Sequence, residues 1–194
     1  ALTSVIIPDS VINIGERVLT WCSSLTYVAI GSSVANIGNE AFTVCTSLTS
    51  IAVSADNPKY ASSGGVLFNK DFTTLIRYPG GLSGSYTIPD SVTDIGNDAF
   101  SICDSLTSVI IPDSVTNIGD HAFHDCGALT SVAIPDSVKT IGDWAFYDCD
   151  ALTSVTIGNS VTTIGEDAFY GCRSLVSAVI GNNVTNIKRS AFDG

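Results

Sequence analysis

The feature that most limits what this chain can fold into is its period. Leu2, Leu25 and Leu48, and then Leu106, Leu129, Leu152 and Leu175, step by 23 residues with the same companions each time. Residues 106–128 read LTSVIIPDSVTNIGDHAFHDCGA and residues 129–151 read LTSVAIPDSVKTIGDWAFYDCDA. A unit this short cannot bury its own apolar face. It must stack on its neighbours, so the chain is one turn of a coil repeated along an axis.

Within the unit that starts at Leu129, the apolar positions are Leu129, Val132, Ile134, Val138, Ile141, Ala145, Phe146 and Cys149. Val132-Ala133-Ile134 alternates with period two, which predicts a short strand with Val132 and Ile134 inward and Ser131 and Ala133 outward. A Pro-Asp-Ser or Gly-Asn-Ser corner ends it. Val138 and Ile141 form a second inward pair, consistent with a second short strand. The Gly142-Asp143-Trp144-Ala145-Phe146 block predicts a helical or 3₁₀ turn on the outer side.

The pattern C-x-x-L-x-x-[VI]-x-I-[PG]-x-x-V-x-x-I-G-x-x-A-F, seen from Cys126 to Phe146, resembles the BspA-like, or Treponema-type, leucine-rich repeat. The resemblance covers essentially the whole chain outside one insertion. It implies an α/β repeat solenoid: a right-handed superhelix with a parallel concave β-sheet, second short strands and short outer helical or 3₁₀ segments. Residues 1–194 then form a single domain of eight coils. Family members are often secreted or surface proteins of host-associated bacteria and some protozoa, and some are adhesins for host matrix proteins or other cells. The resemblance therefore implies a non-enzymatic protein-binding scaffold, extracellular or at the cell surface, with no cofactor. A structural spacer or self-associating array is the alternative, and a carbohydrate binder or hydrolase a more remote one.

Two units depart from the pattern, with Val18-Leu19 where Ala-Phe is expected and Lys188 in place of Gly. Neither end carries a convincing polar cap and no initiator methionine opens the chain, which reads as a piece of a longer array open to end-to-end association. The largest departure lies at about 54–84. From Leu48 to Ser83 the step is 35 residues, with no Ile-Gly-x-x-Ala-Phe block. Val66 to Phe68 and Thr74 to Tyr78 flank Asn69-Lys70-Asp71, which predicts a β-hairpin that either continues the core or projects as a recognition element.

Cys22, Cys45, Cys103, Cys126, Cys149 and Cys172 all occupy one repeat position, three residues before the Leu slot. They predict a ladder of inward, parallel thiols, a geometry that does not suit unstrained disulfides. Metal binding finds no C-x-x-C pair, and His121 and His124 are the only histidines. These two sit beside Asp120 and Asp125, but the same slots hold Asp143, Trp144, Tyr147 and Asp148 one coil later, as variable surface positions do. No nucleophile elbow, phosphate loop or dinucleotide fingerprint appears. Recurrent corner aspartates (Asp9, Asp90, Asp113, Asp136) and those after Gly (Asp120, Asp143, with Glu166) could recruit calcium, or simply serve turns and solubility. Asn183-Val184-Thr185 is a lone glycosylation sequon.

Composition narrows the partners. Nineteen acidic against eight basic residues leave a net charge of −11, which argues against nucleic acid and anionic membrane. No apolar run approaches the roughly 20 residues of a membrane span.

A protein partner, such as a host matrix or cell-surface protein, would meet one of two surfaces. With strands roughly 4.8 Å apart, eight coils predict one concave sheet about 35 to 40 Å long. Its outward positions are Ser4 and Ile6, Tyr27 and Ala29, Ser50 and Ala52, Ser85 and Thr87, Ser108 and Ile110, Ser131 and Ala133, Ser154 and Thr156, and Ser177 and Val179. On the outer side His121, His124, Trp144, Tyr147 and Tyr170 predict an aromatic patch over three consecutive coils, either a recognition surface or rings that fill gaps between coils.

Overall fold

The computed structural model describes residues 1–194. In chain order its strands are β1 (Ser4–Ile7), β2 (Asn13–Ile14), β3 (Tyr27–Ile30), β4 (Asn36–Ile37), β5 (Ser50–Val53), β6 (Tyr60–Ser63), β7 (Val66–Asn69), β8 (Thr74–Arg77), β9 (Gly84–Thr87), β10 (Asp94–Ile95), β11 (Leu106–Ile110), β12 (Asn117–Ile118), β13 (Ser131–Ile134), β14 (Thr140–Ile141), β15 (Ser154–Ile157), β16 (Thr163–Ile164), β17 (Ser177–Val179) and β18 (Asn186–Ile187). Equivalent residues pair in parallel: Val132 with Val155, Ile134 with Ile157, Ile141 with Ile164. A slip of one residue would turn every inward side chain outward, so the apolar pattern fixes this register. The result is a β-solenoid of eight coils with two parallel sheet faces.

The inward files match the repeat. Leu129 and Leu152, Val138 and Val161, and Phe123, Phe146 and Phe169 are each almost wholly buried. Phe100, Phe123, Phe146, Phe169 and Phe192 stack face to face, with centroids 4.6 to 5.2 Å apart. The glycine of the Ile-Gly block is required by this stacking: a Cβ on Gly165 would overlap the Gly142 carbonyl of the preceding coil.

The outer segments correct the helical expectation: they are chains of turns, with no helix or 3₁₀ segment. Two residues in each take positive φ, as at His121 (54°) and Asp125 (55°), or Trp144 (56°) and Asp148 (52°). Between them, alternate backbone N–H groups point along the solenoid axis. Those of His121, Phe123 and Asp125 donate to the carbonyls of Asp143, Ala145 and Tyr147. A helix would direct the same N–H groups back along its own chain. The inter-coil ladder takes them instead, and the left-handed residues are what aim them.

The single eight-coil sheet is also corrected. The main strands form three sheets, β1-β3-β5, β9-β11 and β13-β15-β17. Between β11 and β13 the ladder only loosens, since Thr130 N–H still reaches Thr107 O at 3.2 Å. Between β5 and β9 it is broken by the insertion. Ile51 N–H donates to Gly65 O, and Val53 N–H to the Ser62 hydroxyl, so the hairpin seals the far edge of β5.

The insertion is a three-stranded antiparallel meander, one strand more than the predicted hairpin. Gly64 and Gly65, both with positive φ, make the two-residue turn between β6 and β7. The meander joins the second sheet, whose order is β18-β16-β14-β12-β10-β8-β7-β6. Its strands divide the interior. Leu67 packs with a core of 11 buried residues in the N-terminal coils, whereas Val66, Phe68, Leu75 and Tyr78 join one of 35 in the C-terminal coils. The core reading of the insertion therefore accounts for these side chains, and Asn57 ties it down. Fully buried, its side chain donates to Gly31 O and Val34 O and accepts from the N–H groups of Lys59 and Tyr60.

Candidate binding surfaces

The strand face holds its predicted residues outward, in rows set by the register. Ser4, Tyr27 and Ser50 align, as do Ile6, Ala29 and Ala52. Ser85 and Thr87 lie beside Ser108 and Ile110. Ser131, Ser154 and Ser177 form one row of the last sheet, and Ala133, Thr156 and Val179 the other. The rows make two patches rather than one surface, because the meander covers the edge at Ser50 and Ala52. Most positions are small, and the apolar anchors are Ile6, Tyr27, Ile110 and Val179.

On the outer side the five rings come together. His124 stacks on Tyr147 at 5.1 Å and Tyr147 on Tyr170 at 5.0 Å, nearly parallel, while His121 meets Trp144 at 4.7 Å. The positive-φ backbone at His121 and Trp144 places these two in one column. Trp144 is 37% exposed, and its indole N–H donates to the Asp167 carboxylate at 2.7 Å. His124 Nδ1 lies 3.2 Å from Asp125. Burial holds the His124 imidazole below its ordinary range despite Asp125, and pushes the Asp125 carboxyl up. The rings stack on one another and keep their edges open to solvent.

The acidic ladders have a structural occupation. The Asp120 carboxylate accepts from Asp143 N–H, that of Asp143 from Glu166 N–H, and that of Asp136 from Asn159 N–H. Each side chain caps a donor one coil further on. No group of three or more His, Cys, Asp or Glu side chains converges as a metal site would require.

All six thiols are free and in file. Cys126, Cys149 and Cys172 each donate to the carbonyl of the previous coil's Phe, at 3.1 to 3.2 Å, and Cys45 to Leu19 O at 3.1 Å. At Cys103 the contact lengthens to 3.8 Å, to Tyr78 O, because the preceding coil carries the insertion. The column thus ties coils together through buried carbonyls, a role that repeat position alone did not disclose.

One polar feature escaped sequence reading. Arg77 is 5% exposed, and its guanidinium donates to Asp98 O and Ser101 O. A lone Arg inside an insertion carries no signal of burial; the deleted Ala-Phe block, which leaves Ser101 O without the donor that a regular preceding coil supplies, is the only clue.

Comparison with known proteins agrees with this architecture. The BspA type leucine rich repeat region matches residues 1–73 and 82–194, in six copies. A leucine-rich repeat protein from Eubacterium ventriosum superposes with a TM-score of 0.79 at 23% identity, over 96% of this chain and 66% of that one. A leucine rich cell surface protein from Faecalibacterium prausnitzii gives 0.65 at 28% identity, over 92% of this chain and 60% of that one. The leucine rich repeat protein of T. pallidum gives 0.53 at 28%, over 96% and 73%. This chain thus spans less than two thirds of the first two proteins. No curated protein matches the sequence. On the strength of a match over nearly all of its length, the chain belongs to the BspA-type leucine-rich repeat family.

Proposed function

We propose that the chain is a non-enzymatic protein-binding module of a secreted or surface protein, adhesin-like in its engagement of host extracellular matrix or cell-surface proteins. A solenoid of stacked coils suits it to extended recognition. The observation that carries the reading is the array of five rings in contact on three consecutive coils, His124, Tyr147 and Tyr170 stacked and His121 tilted against Trp144. Trp and Tyr dominate binding hot spots, and here they are held by a hydrogen-bonded backbone at little further entropic cost. The strand face, with small side chains in register, would add close, flat contact around Ile110 and Val179. A cell-surface relative from F. prausnitzii supports the location.

A pull-down with host matrix proteins tests this, using the wild type and a W144A/Y147A double variant. Capture lost in a variant that keeps its folding midpoint is the expected result. Equal capture, or a large loss of stability with binding intact in the folded fraction, would refute recognition by the rings.

A second reading, a spacer or self-associating array, draws on apolar side chains exposed on the terminal coils, among them Ile12, Val18, Val176 and Ile187. Sedimentation of a variant with Val18 and Val176 changed to Lys separates the two, since only self-association would vanish.

A further inference from the structure

The outer backbone ladder fails at one junction. In coils one, four, five, six and seven, three alternate N–H groups donate to the next coil, for instance Arg17, Leu19 and Trp21 to Asn39, Ala41 and Thr43. The equivalent donors of the second coil are Glu40, Phe42 and Val44, and none has a partner. The cause is the shortened third coil. After β8 the chain cuts inward through Tyr78, Pro79 and Gly80, all buried, and Tyr78 fills the place of the missing Phe by stacking on Phe100 at 5.1 Å. Above this shortcut lies a groove between the second and fourth outer segments.

Two adjoining hollows of about 80 and 320 Å³ make up the groove, and Glu40, Thr43 and Asp98 line both. The inner one is also lined by Arg77. Two side-chain groups there are buried and unpartnered: the Arg77 Nε–H and the Thr43 hydroxyl, in residues 5% and 7% exposed. Orphaned buried donors carry a desolvation cost, so the groove is primed for an acceptor. An 80 Å³ hollow exceeds several-fold the roughly 10–15 Å³ that one water needs, so a single bridging water does not complete it.

We propose that this groove takes a peptide segment of a binding partner, whose main-chain carbonyls accept from Glu40, Phe42 and Val44 as those of the next coil do elsewhere. The donors alternate along a run of turns, and in the regular coils the segment that meets them is itself a run of turns offering every second carbonyl, as Asn39, Ala41 and Thr43 do to Arg17, Leu19 and Trp21. The walls hold two carboxylates, Glu40 and Asp98, and two guanidiniums, Arg17 and Arg77, so the lining carries no net charge and suits an uncharged amide carbonyl; Glu40 is already engaged by Arg17 at 2.7 and 2.9 Å. In a chain of net charge −11, a further anion there meets repulsion that an amide carbonyl does not. This site rests on the protein-binding reading only in that its occupant is a polypeptide; it lies apart from the strand-face rows.

Thr43 offers a blocking variant that the fold tolerates, because its repeat position holds Tyr147 and Tyr170 in later coils. The full chain, labelled with ¹⁵N, is titrated with an end-capped neutral heptapeptide, Gly-Asn-Trp-Ala-Ala-Tyr-Asn, and separately with inorganic phosphate. The expected result is saturable shifts of the Glu40, Phe42 and Val44 amides with the peptide, little change with phosphate, and binding weakened about tenfold or more in T43Y at an unchanged folding midpoint. Amides that do not respond to the peptide, a response to phosphate instead, or undiminished peptide binding by T43Y would each overturn the proposal. His121 and His124 of the ring array line the outer hollow, but Trp144 and Tyr147 do not, so capture tested by W144A/Y147A and peptide binding tested by T43Y are read separately.

Discussion

The coils before the insertion and those after it obey one sequence rule but cohere to different degrees. From Phe100 to Phe192 five rings stack without a gap, and the thiols of Cys126, Cys149 and Cys172 repeat one hydrogen bond. In the first three coils the Phe slot holds Leu19, then Phe42, then Tyr78, and no ring stacks on Phe42. The smaller core there, 11 buried residues against 35, is cut off by β7, whose two faces serve different interiors. A solenoid's stability is a sum of coil and interface terms. One irregular coil therefore separates the molecule into a strong block and a weak one, and leaves polar groups unpaired at the seam.

The largest effect should come from the ring stack. Phe146→Ala leaves a cavity flanked by Phe123 and Phe169 and should cost about 3–5 kcal/mol in chemical denaturation. Leu19→Ala, at the same slot of the first coil but only partly buried, should cost clearly less and lower only the first transition. Equal costs would erase the contrast.

Next comes the clamp between insertion and second coil. Asn57→Ala removes the side-chain partner of Val34 O and of the Lys59 and Tyr60 N–H groups, leaves Gly31 O only its long bond from Val34 N–H, and should cost about 2–3 kcal/mol. Hydrogen exchange should then quicken in β3 and β5 while β13 and β15 are unaffected.

The thiols give a pH dependence of opposite weight in the two blocks. Burial pushes the Cys103 thiol up, and hydrogen bonding to Cys126 and Cys172 raises Cys149, partly offset by Cys172, which its contact with Cys149 lowers; in the N-terminal coils Cys45 alone is raised, by burial. A thiol raised in the folded state stays protonated while the unfolded chain ionises. Stability is thus full below the unfolded value of about 8.5 and falls as pH rises above it towards the folded value. Melting at pH 7 and pH 10 should show the larger loss in the C-terminal block, reduced in a Cys149→Ala variant.

The smallest effect concerns backbone strain at the seam. Val44 holds φ of 59°, costly for a β-branched residue, at a slot where Ile102 of the fourth coil carries the same strain and later coils carry Asp125, Asp148 and Gly171. Val44→Asn should stabilise by about 0.5–1 kcal/mol, read as a higher denaturation midpoint of the N-terminal block.

Much of this was legible from the repeat. The inward files, the strand register, the thiol column and the meeting of His124 with Tyr147 follow from a constant step of 23 residues. What was missed shares one physical origin, hydrogen bonds between coils. Gly-Asp-Trp-Ala-Phe looks locally like a helical turn, and only an acceptor 22 residues away turns its N–H groups outward. The break between β5 and β9 is of the same kind, since the rival for the edge of β5 is Gly65 on the meander. Gly64-Gly65 itself was readable as a hairpin turn, with Ser62-Ser63 as the incoming strand. The buried Arg77 was not, because one of its acceptors, Ser101 O, is freed by residues the third coil lacks.

The most direct test of a divided solenoid is residue-resolved hydrogen exchange in low denaturant. Two opening units are predicted: amides of β1 to β5 should exchange together at a lower free energy, and those of β11 to β18 together at a higher one. A single free energy shared by both sets would contradict the division of the core at β7.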